Sequence, residues 1–365
     1  MRLIHIISAL QQGGAETQLE TLIKHMNDHE HIVASLSHKE TELGRRMSRN
    51  GIKVHYFGID KNLLNIISLR RFLRRNSSDN YAIQCWMYHA NLIGWVATLG
   101  LQVPLFWNIR RSDTPKLKTE IISKLTAVVS KFCSVVIFCN SRVGIKNHIR
   151  KGYDTNKFVY VPNGYIFQEQ FVSIVPDGIM SSKHVTNICC VGRFNKDKGQ
   201  DILLDAFFIL KDRFSECLFE HLRFYFIGRD NSKFIKSEYP HLIQEPSDQL
   251  IFLDERSDIA NCLQHMDIFC LPSRTEGFPN VLVEAMYAEL PCIATNVGEV
   301  ANILPTGNII INSNSSDELA AALEKLINAG KQTRIKVGKF NHAHAVKHFS
   351  INKTSDIMFK HYTRS

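Results

Sequence analysis

The stretch TNICCVGRFNKDKGQDILLDAF, residues 186–207, contains the structural unit that decides the fold. Its first part, TNICCVG, has the near-continuous apolarity of a strand that is buried on both faces of a sheet. A polar turn follows, and the segment from Gln200 onward has the apolar pattern of a helix. A buried strand that leads directly into a helix indicates βαβ order, and therefore a parallel sheet covered by helices.

The same alternation of apolar runs and helical patterns extends along the whole chain, which predicts an α/β fold built from doubly wound parallel sheets. Helical patterns such as ETQLETLIKHM and LLNIISLRRFLRR separate many of the runs. The other runs that we predict as strands are LIHIISAL, HIVASL, KVHYFGI, AIQCWMY, PLFWNI, SVVIFCN and KFVYVP in the first half, and RFYFIG, LIFLD, IFCLPS, PCIATN and NIIINS in the second.

A segment without clear periodicity, residues 164–184, separates the two halves and contains Gly, Pro and Ser. We place the domain boundary there and predict one domain at residues 1–170 and another at residues 184–348. Two α/β domains joined by a linker create a cleft, and ligands bind at the carboxyl ends of strands in such sheets. We therefore expect the functional site to face this cleft.

The composition restricts the class of protein. The 365 residues exceed what one core usually holds, and the 22% of charged residues form no low-complexity tract. Nine cysteines without a C-x-x-C pair favour a reduced, cytoplasmic setting. The start, MRLIHIISAL, lacks a good cleavage site and is predicted as a buried first strand, and no apolar run reaches the roughly 20 residues of a membrane span.

The positive charge is concentrated in the first half of the chain. The net charge is +9, and residues 1–180 contain 23 Lys and Arg against 13 Asp and Glu. Such a half either meets an anionic surface, lipid or nucleic acid, or is an ordinary solvated basic surface. Because the basic half lacks interleaved basic and aromatic residues, we predict no nucleic-acid partner.

The turn after TNICCVG has the features of a phosphate site. Arg193 and Lys198 flank it, Gly199 permits close backbone approach, and a helix N-terminus follows. The sequence matches neither a Walker loop nor G-x-G-x-x-G, and no Asp-x-Asp is present. Fixed cations would therefore bind an anion without a metal ion. An ordinary strand-to-helix turn with surface charges is the alternative.

Two acids lie eight positions apart in RTEGFPNVLVEAM, residues 274–286. Glu276 lies in a predicted loop, Pro279 is placed to start a helix, and Glu284 falls about one turn inside it. The pair suits either general acid/base chemistry or the binding of hydroxyl groups at the two ends of one ligand. Acids that merely favour the helix dipole are the alternative interpretation.

These segments together resemble the family 4 retaining glycosyltransferases, which have the GT-B fold of two facing Rossmann-like domains. The resemblance extends over the chain, and the Glu-x7-Glu block is its most specific part. The segments are VGRFNKDKGQDILLDAF, FIG at 226–228, DIFCLPSRTEGFPNVLVEAMYAELPCIATNVG, GGAE at 13–16, WMYHANLIG at 86–94, WNIR at 107–110, CNS at 139–141 and VPNG at 161–164.

The resemblance implies a nucleotide-sugar donor, for which we favour a UDP-hexose or UDP-N-acetylhexosamine over a GDP-sugar. Arg193 and Lys198 would bind the diphosphate, and Glu276 would bind the transferred sugar. Glu284 would bind the ribose, and Arg256 lies where relatives hold the base. The remaining donor-binding positions implied by the resemblance are Gly14, Gly277, Phe278, Pro279 and Asn280.

The family's active-site histidine matches His89, which would lie near the transferred sugar and contact the acceptor together with Arg110. A packed structural histidine is the alternative. His89, Arg193, Lys198 and Glu276 are thus the implied catalytic residues of a metal-independent, cofactor-free retaining hexosyltransferase. Front-face attack and a covalent intermediate both stay open. A non-catalytic sugar-nucleotide-binding protein is the rival function.

The acceptor is expected in the basic first domain. Members of this family build bacterial surface polysaccharides on polyprenyl-diphosphate carriers, which predicts a lipid-linked glycan acceptor and a peripheral position on the inner face of the cytoplasmic membrane. A protein or small-molecule acceptor is the alternative. The segments 62–76 and 114–132 are basic and amphipathic, which suits an anionic membrane surface, although ordinary helices would pack the same apolar residues inward.

Two further expectations concern the family pattern. The last segment, residues 349–365, is expected to form a helix that packs back on the first domain. Glu289 and Asp230 stand where relatives often carry glycine, which places the identity of the base in doubt more than the activity.

Overall fold

A computed structural model describes residues 1–11, 13–77, 80–111, 117–167, 174–180, 182, 184–244 and 247–363. The chain divides into two compact units, residues 1–166 with 349–365 and residues 167–348. The border falls inside the predicted linker. Residues 168–173, 181 and 183 of that linker, and residues 114–116 of the second basic segment, lie outside the described residues.

The first unit contains a seven-stranded parallel sheet in the order β3-β2-β1-β4-β5-β6-β7. Its central strand β1 pairs with β2 on one side and β4 on the other, and it is buried as its apolar run predicts. The strands are β1 (Arg2–Ile7), β2 (Glu30–Ser35), β3 (Lys53–Tyr56), β4 (Tyr81–Trp86), β5 (Leu105–Ile109), β6 (Val136–Cys139) and β7 (Phe158–Tyr160).

The second unit contains a six-stranded parallel sheet in the order β10-β9-β8-β11-β12-β13. Its strands are β8 (Thr186–Val191), β9 (Leu222–Ile227), β10 (Leu250–Leu253), β11 (Ile268–Leu271), β12 (Cys292–Thr295) and β13 (Ile309–Ile311). The predicted strands therefore all form, and the prediction of two doubly wound parallel-sheet domains is confirmed.

Helices connect the strands and cover the sheets, as parallel pairing requires. None of those in the described ranges combines the length and the apolarity needed to cross a bilayer. In chain order they are α1 (Gly14–His25), α2 (Glu42–Arg49), α3 (Ile66–Asn76), α4 (Met87–Thr98), α5 (Leu117–Ser130), α6 (Arg142–Arg150), α7 (Gln200–Arg213), α8 (Glu216–Phe219), α9 (Asn231–Glu238), α10 (His241–Gln244), α11 (Ile259–Gln264), α12 (Asn280–Tyr287), α13 (Val300–Ile303), α14 (Ser316–Asn328), α15 (Gly330–Phe349) and α16 (Ile351–Tyr362).

The last helix, α16, belongs to the first unit although it follows the second unit in sequence. It packs beside α1, and the buried Tyr362 hydroxyl donates a hydrogen bond to Gln84 Oε1 on β4 at 2.8 Å. A Cβ at Gly164 would come within 2.6 Å of Ile351 Cδ1, so the chain passes tightly against the start of this helix. The C-terminal segment thus completes the core of the first unit.

Each sheet contains one point where the strand order reverses. In the first sheet this switch point lies between β1 and β4, and in the second it lies between β8 and β11. Loops that leave neighbouring strands in opposite directions open a crevice at the carboxyl edge, where α/β proteins bind ligands. The topology therefore points to the loops after β1 and β4, and to the loops after β8 and β11.

Candidate functional site

The loop after β8 is the first wall of the crevice in the second unit. Asn195 Oδ1 accepts a hydrogen bond from the Lys198 backbone N–H at 3.1 Å and so holds a short 3-10 turn. Gly199 has a φ of 67°, and a Cβ there would lie 2.1 Å from the Pro272 carbonyl oxygen. Only glycine allows α7 to start this close to the end of β11. Arg193 is exposed, and its guanidinium has no partner among the described residues.

The loop after β11 brings Glu276 to Lys198. The Glu276 side chain is 8% exposed, and its Oε1 accepts hydrogen bonds from Lys198 Nζ and Ser273 Oγ, both at 2.7 Å. The charge-assisted bond compensates the carboxylate for its lost hydration. The sequence predicted both charged residues as donor ligands. The structure joins them directly at the switch point, together with Ser273, which the sequence reasoning did not identify.

Glu284 lies on the same segment but in a different environment. It is the fifth residue of α12, it is half-buried, and its carboxylate has no hydrogen-bond or ion-pair partner among the described residues. Burial raises its pKa from 4.5 to about 6. Favourable interaction with the helix dipole would lower the pKa instead. A desolvated, unpaired carboxylate beside a crevice is characteristic of a ligand site.

The backbone between the two acids is held from the far side. Pro279 caps α12, and Phe278 is buried beneath the loop. The Gly277 carbonyl accepts a hydrogen bond from the Glu299 N–H at 3.1 Å. Gly298 has a φ of 53°, and a Cβ there would lie 2.2 Å from the Glu276 carbonyl oxygen. Residues 277–280, which the sequence predicted as donor-binding, are thus rigidly supported.

Arg274 connects the two walls, and sequence reasoning missed it. Its guanidinium forms a bidentate ion pair with Asp201 at 2.7 and 2.6 Å, and it also donates to the Lys196 carbonyl at 2.7 Å. The Arg274 N–H donates to the Asp197 carbonyl at 2.8 Å. Five N–H donors in a planar fork suit this double attachment. The only local indication in the sequence was an arginine two positions before Glu276. Its partner Asp201 lies 73 residues away, so the pair was not recognisable from the sequence.

Arg256, predicted near the base of the nucleotide, is already engaged within the second unit. Its Nε and Nη2 donate to the two carboxylate oxygens of Asp258 at 2.8 and 2.7 Å, and its Nη1 donates to the Asp177 carbonyl at 2.9 Å. The hydrogen bond to Asp258 raises the pKa of Arg256. The guanidinium therefore fixes the loop after β10, and contact with a base would come from backbone atoms.

The switch point of the first unit lies between Gly14 and His89. Gly14 is the first residue of α1, which follows β1, and His89 is the third residue of α4, which follows β4 directly. Met87, with a φ of 73°, makes the sharp turn from strand to helix. The His89 side chain is exposed and has no hydrogen-bond partner among the described residues, and partial desolvation lowers its pKa.

Arg110 follows β5 on the same edge of the first sheet. Its Nε donates to Asn108 Oδ1 at 2.8 Å, its Nη1 donates to Asn163 Oδ1 at 2.5 Å, and its guanidinium lies 5.6 Å from the centre of the Trp86 ring. Burial lowers the pKa of Arg110 to about 10. No carboxylate contacts it in the described part of the chain, so this desolvated cation lacks a counterion. Asn163, in VPNG, holds it in place.

Comparison with known proteins shows what these units are similar to. Residues 185–329 match the family described as "Glycosyl transferases group 1". The chain is 22% identical over 311 residues to the capsular polysaccharide biosynthesis glycosyltransferase CapH of Staphylococcus aureus, covering 83% of each protein. It is 23% identical over 343 residues to a Campylobacter jejuni protein, covering 90% of this chain and 89% of that protein. That protein is named GalNAc-alpha-(1->4)-GalNAc-alpha-(1->3)-diNAcBac-PP-undecaprenol alpha-1,4-N-acetyl-D-galactosaminyltransferase.

Among solved structures, Anabaena HepE in complex with UDP matches with a TM-score of 0.86 at 17% identity, over 100% of both chains. At this identity the match establishes the fold. The two parallel-sheet units match the GT-B fold, and the prediction of that fold is confirmed.

Proposed function

We propose that this chain, whose residues 185–329 match the group 1 glycosyltransferases and which is similar over most of its length to two named transferases, is a retaining hexosyltransferase that moves a hexose or an N-acetylhexosamine from a UDP-sugar to a glycan acceptor. The observation that carries the proposal is the contact between Lys198 and Glu276 at the switch point of the second sheet. There a fixed cation, a helix N-terminus and a supported carboxylate meet within one crevice. A structural relative has been solved with UDP, which supports the choice of donor.

The proposed donor is held at both ends. Arg193 and Lys198 bind the diphosphate, and Glu276 accepts hydrogen bonds from hydroxyl groups of the transferred sugar. Glu284 accepts hydrogen bonds from the ribose, because its carboxylate has no partner in the described residues. A carboxylate can bind two hydroxyl groups at once. The backbone at residues 277–280 supports the sugar, and the backbone near Arg256 lies beside the base.

The chemistry that these residues would perform is mainly electrostatic. When the bond between the anomeric carbon and the diphosphate oxygen breaks, its electron pair leaves with UDP. The acceptor hydroxyl oxygen bonds to the anomeric carbon, and the hydroxyl proton passes to the departing diphosphate or to water. Arg193 and Lys198 stabilise the charge that develops on the leaving oxygen. We propose that no metal ion is needed, since Arg193 and Lys198 would neutralise the charge of the diphosphate. Chelation by EDTA should then leave the rate of transfer unchanged.

For the acceptor we propose a lipid-linked oligosaccharide of the polyprenyl-diphosphate class, used in capsule or other surface-polysaccharide synthesis. Arg110 is a desolvated cation whose guanidinium contacts the neutral amides of Asn108 and Asn163 and the Trp86 ring, and no carboxylate in the described part of the chain. A diphosphate would supply the missing counterion and form bidentate hydrogen bonds to the guanidinium. His89, exposed at the start of α4, would lie beside the reacting acceptor. The enzyme would act at the inner face of an anionic membrane, and nucleic acid is not a proposed partner.

The test is a panel of UDP-, GDP- and other sugar nucleotides, in which release of nucleoside diphosphate is measured with and without membrane extract. We expect release from a UDP-sugar that the extract stimulates. Glu276→Ala should abolish transfer, and Lys198→Ala should lower turnover by about a hundredfold or more, as loss of one stabilising donor does in other transferases and hydrolases. Arg213→Gln, which removes an exposed surface charge, is the control.

Two results would contradict the proposal. Near-normal transfer by both variants, with Arg213→Gln equally active, would mean that Glu276 and Lys198 are not donor ligands. Binding of UDP-sugar without any release, in the presence of the extract, would support the rival function of a non-catalytic sugar-nucleotide-binding protein.

A further inference from the structure

Helix α5 of the first unit turns its large apolar residues toward solvent. Leu117, Ile121, Leu125 and Val128 on the helix are 77%, 53%, 51% and 56% exposed, and Phe132 in the turn that follows is 85% exposed. The residues that α5 buries fully are small or polar, namely Ser123, Thr126, Ala127 and Ser130, and Ile122 and Val129 pack partly buried against the core. A helix on a folded domain usually exposes its polar side, whereas α5 is apolar on its solvent side as well.

The exposed apolar residues form one stripe. With a rotation of about 100° per residue, Leu117, Ile121, Leu125 and Val128 fall within an arc of about 80° on the helix surface. Phe132 extends the stripe beyond the C-terminal end of the helix. A contiguous exposed patch of this kind marks an interaction site on most folded proteins.

Lysines border the stripe on both sides. Lys118 lies at one edge, Lys124 lies at the other, and Lys131 precedes Phe132, and all three are exposed. The acid of this helix, Glu120, pairs with Lys151, whose Nζ lies 2.9 Å from Glu120 Oε2, and more distantly with Lys124, whose Nζ lies 3.9 Å from Glu120 Oε1. The exposed face of α5 therefore combines apolar side chains with positive charge.

The other basic segment behaves differently. Helix α3 buries Leu69 and Leu73 in the core and exposes Arg71, Arg74 and Arg75. The start of this segment exposes Leu63, Leu64 and Ile67, at 74%, 70% and 47%. Both basic segments therefore present apolar side chains to solvent, but only α3 anchors leucines in the core, and α5 carries the longer exposed stripe.

We propose that α5 lies in the interface of an anionic membrane, with its apolar stripe inserted among the acyl chains and its bordering lysines at the phosphate groups of the lipids. The proposal rests on the proposed function in one respect, because a lipid-linked acceptor would bring the protein to such a surface. An interfacial helix places its apolar face about 5–10 Å into the headgroup boundary, and each nearby lysine adds attraction to anionic lipid.

The charge pattern argues for lipid and against a second copy of the chain. In a two-fold symmetric dimer through this face, the same surface meets itself, so the lysines of one copy would approach those of the other. Like charges across an interface are costly. Anionic headgroups would instead neutralise Lys118, Lys124 and Lys131.

The test uses co-sedimentation to measure binding of the full-length protein to two kinds of vesicle. One kind contains phosphatidylcholine alone, and the other contains phosphatidylcholine with about 30% phosphatidylglycerol, an anionic lipid. The stripe variant is Leu125→Ser, Val128→Ser and Phe132→Ser, and the charge variant is Lys118→Gln, Lys124→Gln and Lys131→Gln. Phe340→Ser, at an apolar residue of α15 that is 52% exposed in the second unit, is the matched control.

Wild type and Phe340→Ser should bind the anionic vesicles equally well. The stripe variant should bind at least about tenfold more weakly, because three apolar side chains lose their burial. The charge variant should lose about fivefold for each lysine removed. In Phe132→Trp, the indole emission should shift to shorter wavelength when vesicles are added, and brominated lipid should quench it.

Three results would contradict the insertion of α5 into a membrane. These are no vesicle binding by wild type, unchanged binding by the stripe variant with no shift in Phe132→Trp emission, and a concentration-dependent dimer that the stripe variant abolishes. Vesicle binding requires neither donor nor acceptor. Titration of the same proteins with UDP-sugar therefore distinguishes failure of this surface from failure of the proposed function.

Discussion

At the scale of single residues, Glu284 occupies a position that lowers the stability of the fold. Burial raises its pKa from 4.5 to about 6, so the folded state holds its proton more tightly than the unfolded chain does. The stability from this group is complete below pH 4.5 and is lost as the pH rises through about 6. The loss amounts to about 2 kcal/mol. Such a cost is expected of a residue retained for ligand binding.

Glu284→Gln should therefore raise the free energy of unfolding by about 1–2 kcal/mol at pH 8 and change it little at pH 5. The same variant should bind UDP-sugar more weakly, since an amide is a poorer acceptor than a carboxylate for the two ribose hydroxyls. Urea unfolding at both pH values and a calorimetric titration measure the two effects. Equal stability gains at both pH values would show that Glu284 is not desolvated, and Glu324→Gln on α14 is the control.

Glu289 is a second residue that lowers the stability of the fold, in this case through its backbone conformation. It has a φ of 60°, and Asp230, the other position where relatives often carry glycine, has a φ of 68°. The chain thus keeps a left-handed conformation without the residue that adopts it most easily. At both positions the backbone of this chain thus has a conformation that glycine would adopt without strain.

Glu289→Gly should stabilise the second unit by about 0.5–1 kcal/mol, which is the relief of strain minus the added flexibility of the unfolded chain. Glu289→Ala keeps the Cβ and should bring no gain. Thermal unfolding of the three proteins distinguishes the cases. A gain in Glu289→Ala as large as in Glu289→Gly would show that the glutamate side chain, and not its backbone, is unfavourable.

At the scale of secondary-structure elements, the link between the β8 loop and the β11 loop is the most consequential contact. Arg274 and Asp201 are 23% and 27% exposed, and their bidentate pair attaches the loop that carries Lys198 to the loop that carries Glu276. We interpret Arg274 as a positioning residue that sets the separation of Lys198 and Glu276, the two proposed donor-binding groups. Small displacements of such groups reduce rates strongly.

Arg274→Gln and Asp201→Asn should each lower kcat by about tenfold to a hundredfold, with a smaller change in KM. Because both act through one contact, the double variant should be no slower than the slower single variant. Steady-state kinetics and a double-mutant cycle measure this. Multiplicative losses in the double variant would mean that the residues act independently, and Arg213→Gln, from an exposed surface pair, is the control.

The elements also show what sequence can and cannot predict. Strands such as β1 and β8 were predictable because continuous apolar runs fit a doubly covered sheet. The direction of α5 was not, because its apolar spacing is the same whether the stripe faces the core or the solvent. The Arg274–Asp201 pair was not predictable either, since nothing local in either loop identifies a partner 73 residues away.

At the scale of the whole molecule, the chain returns to its first unit at the end. Tyr362 on α16 is buried and donates a hydrogen bond to Gln84 in the central part of the first sheet. The sequence indicated this segment only through the family resemblance. A helix that is 278 residues from its hydrogen-bond partner cannot be placed from periodicity alone.

Tyr362→Phe should lower the free energy of unfolding of the first unit by about 1–3 kcal/mol, because Gln84 Oε1 loses its donor in a buried position. Hydrogen exchange of peptides from β1 and β4 should increase, while peptides from the second unit stay unchanged. Tyr225→Phe is the control, because the Tyr225 hydroxyl accepts a hydrogen bond from the Met180 N–H in the second unit. In this variant, hydrogen exchange should increase in peptides of the second unit and stay unchanged in β1 and β4. Unchanged hydrogen exchange in β4 of Tyr362→Phe would show that α16 does not stabilise the first sheet through this hydrogen bond.

The central claim is that the donor nucleotide binds between the loops after β8 and β11, and hydrogen exchange in the presence of UDP tests it most directly. We expect protection in peptides that cover residues 192–200 and 273–284, whereas residues 304–308, which precede β13, should be unchanged. The protection should be lost in Lys198→Ala. Protection confined to other parts of the chain, with both of these peptides unaffected at saturating UDP, would contradict the account.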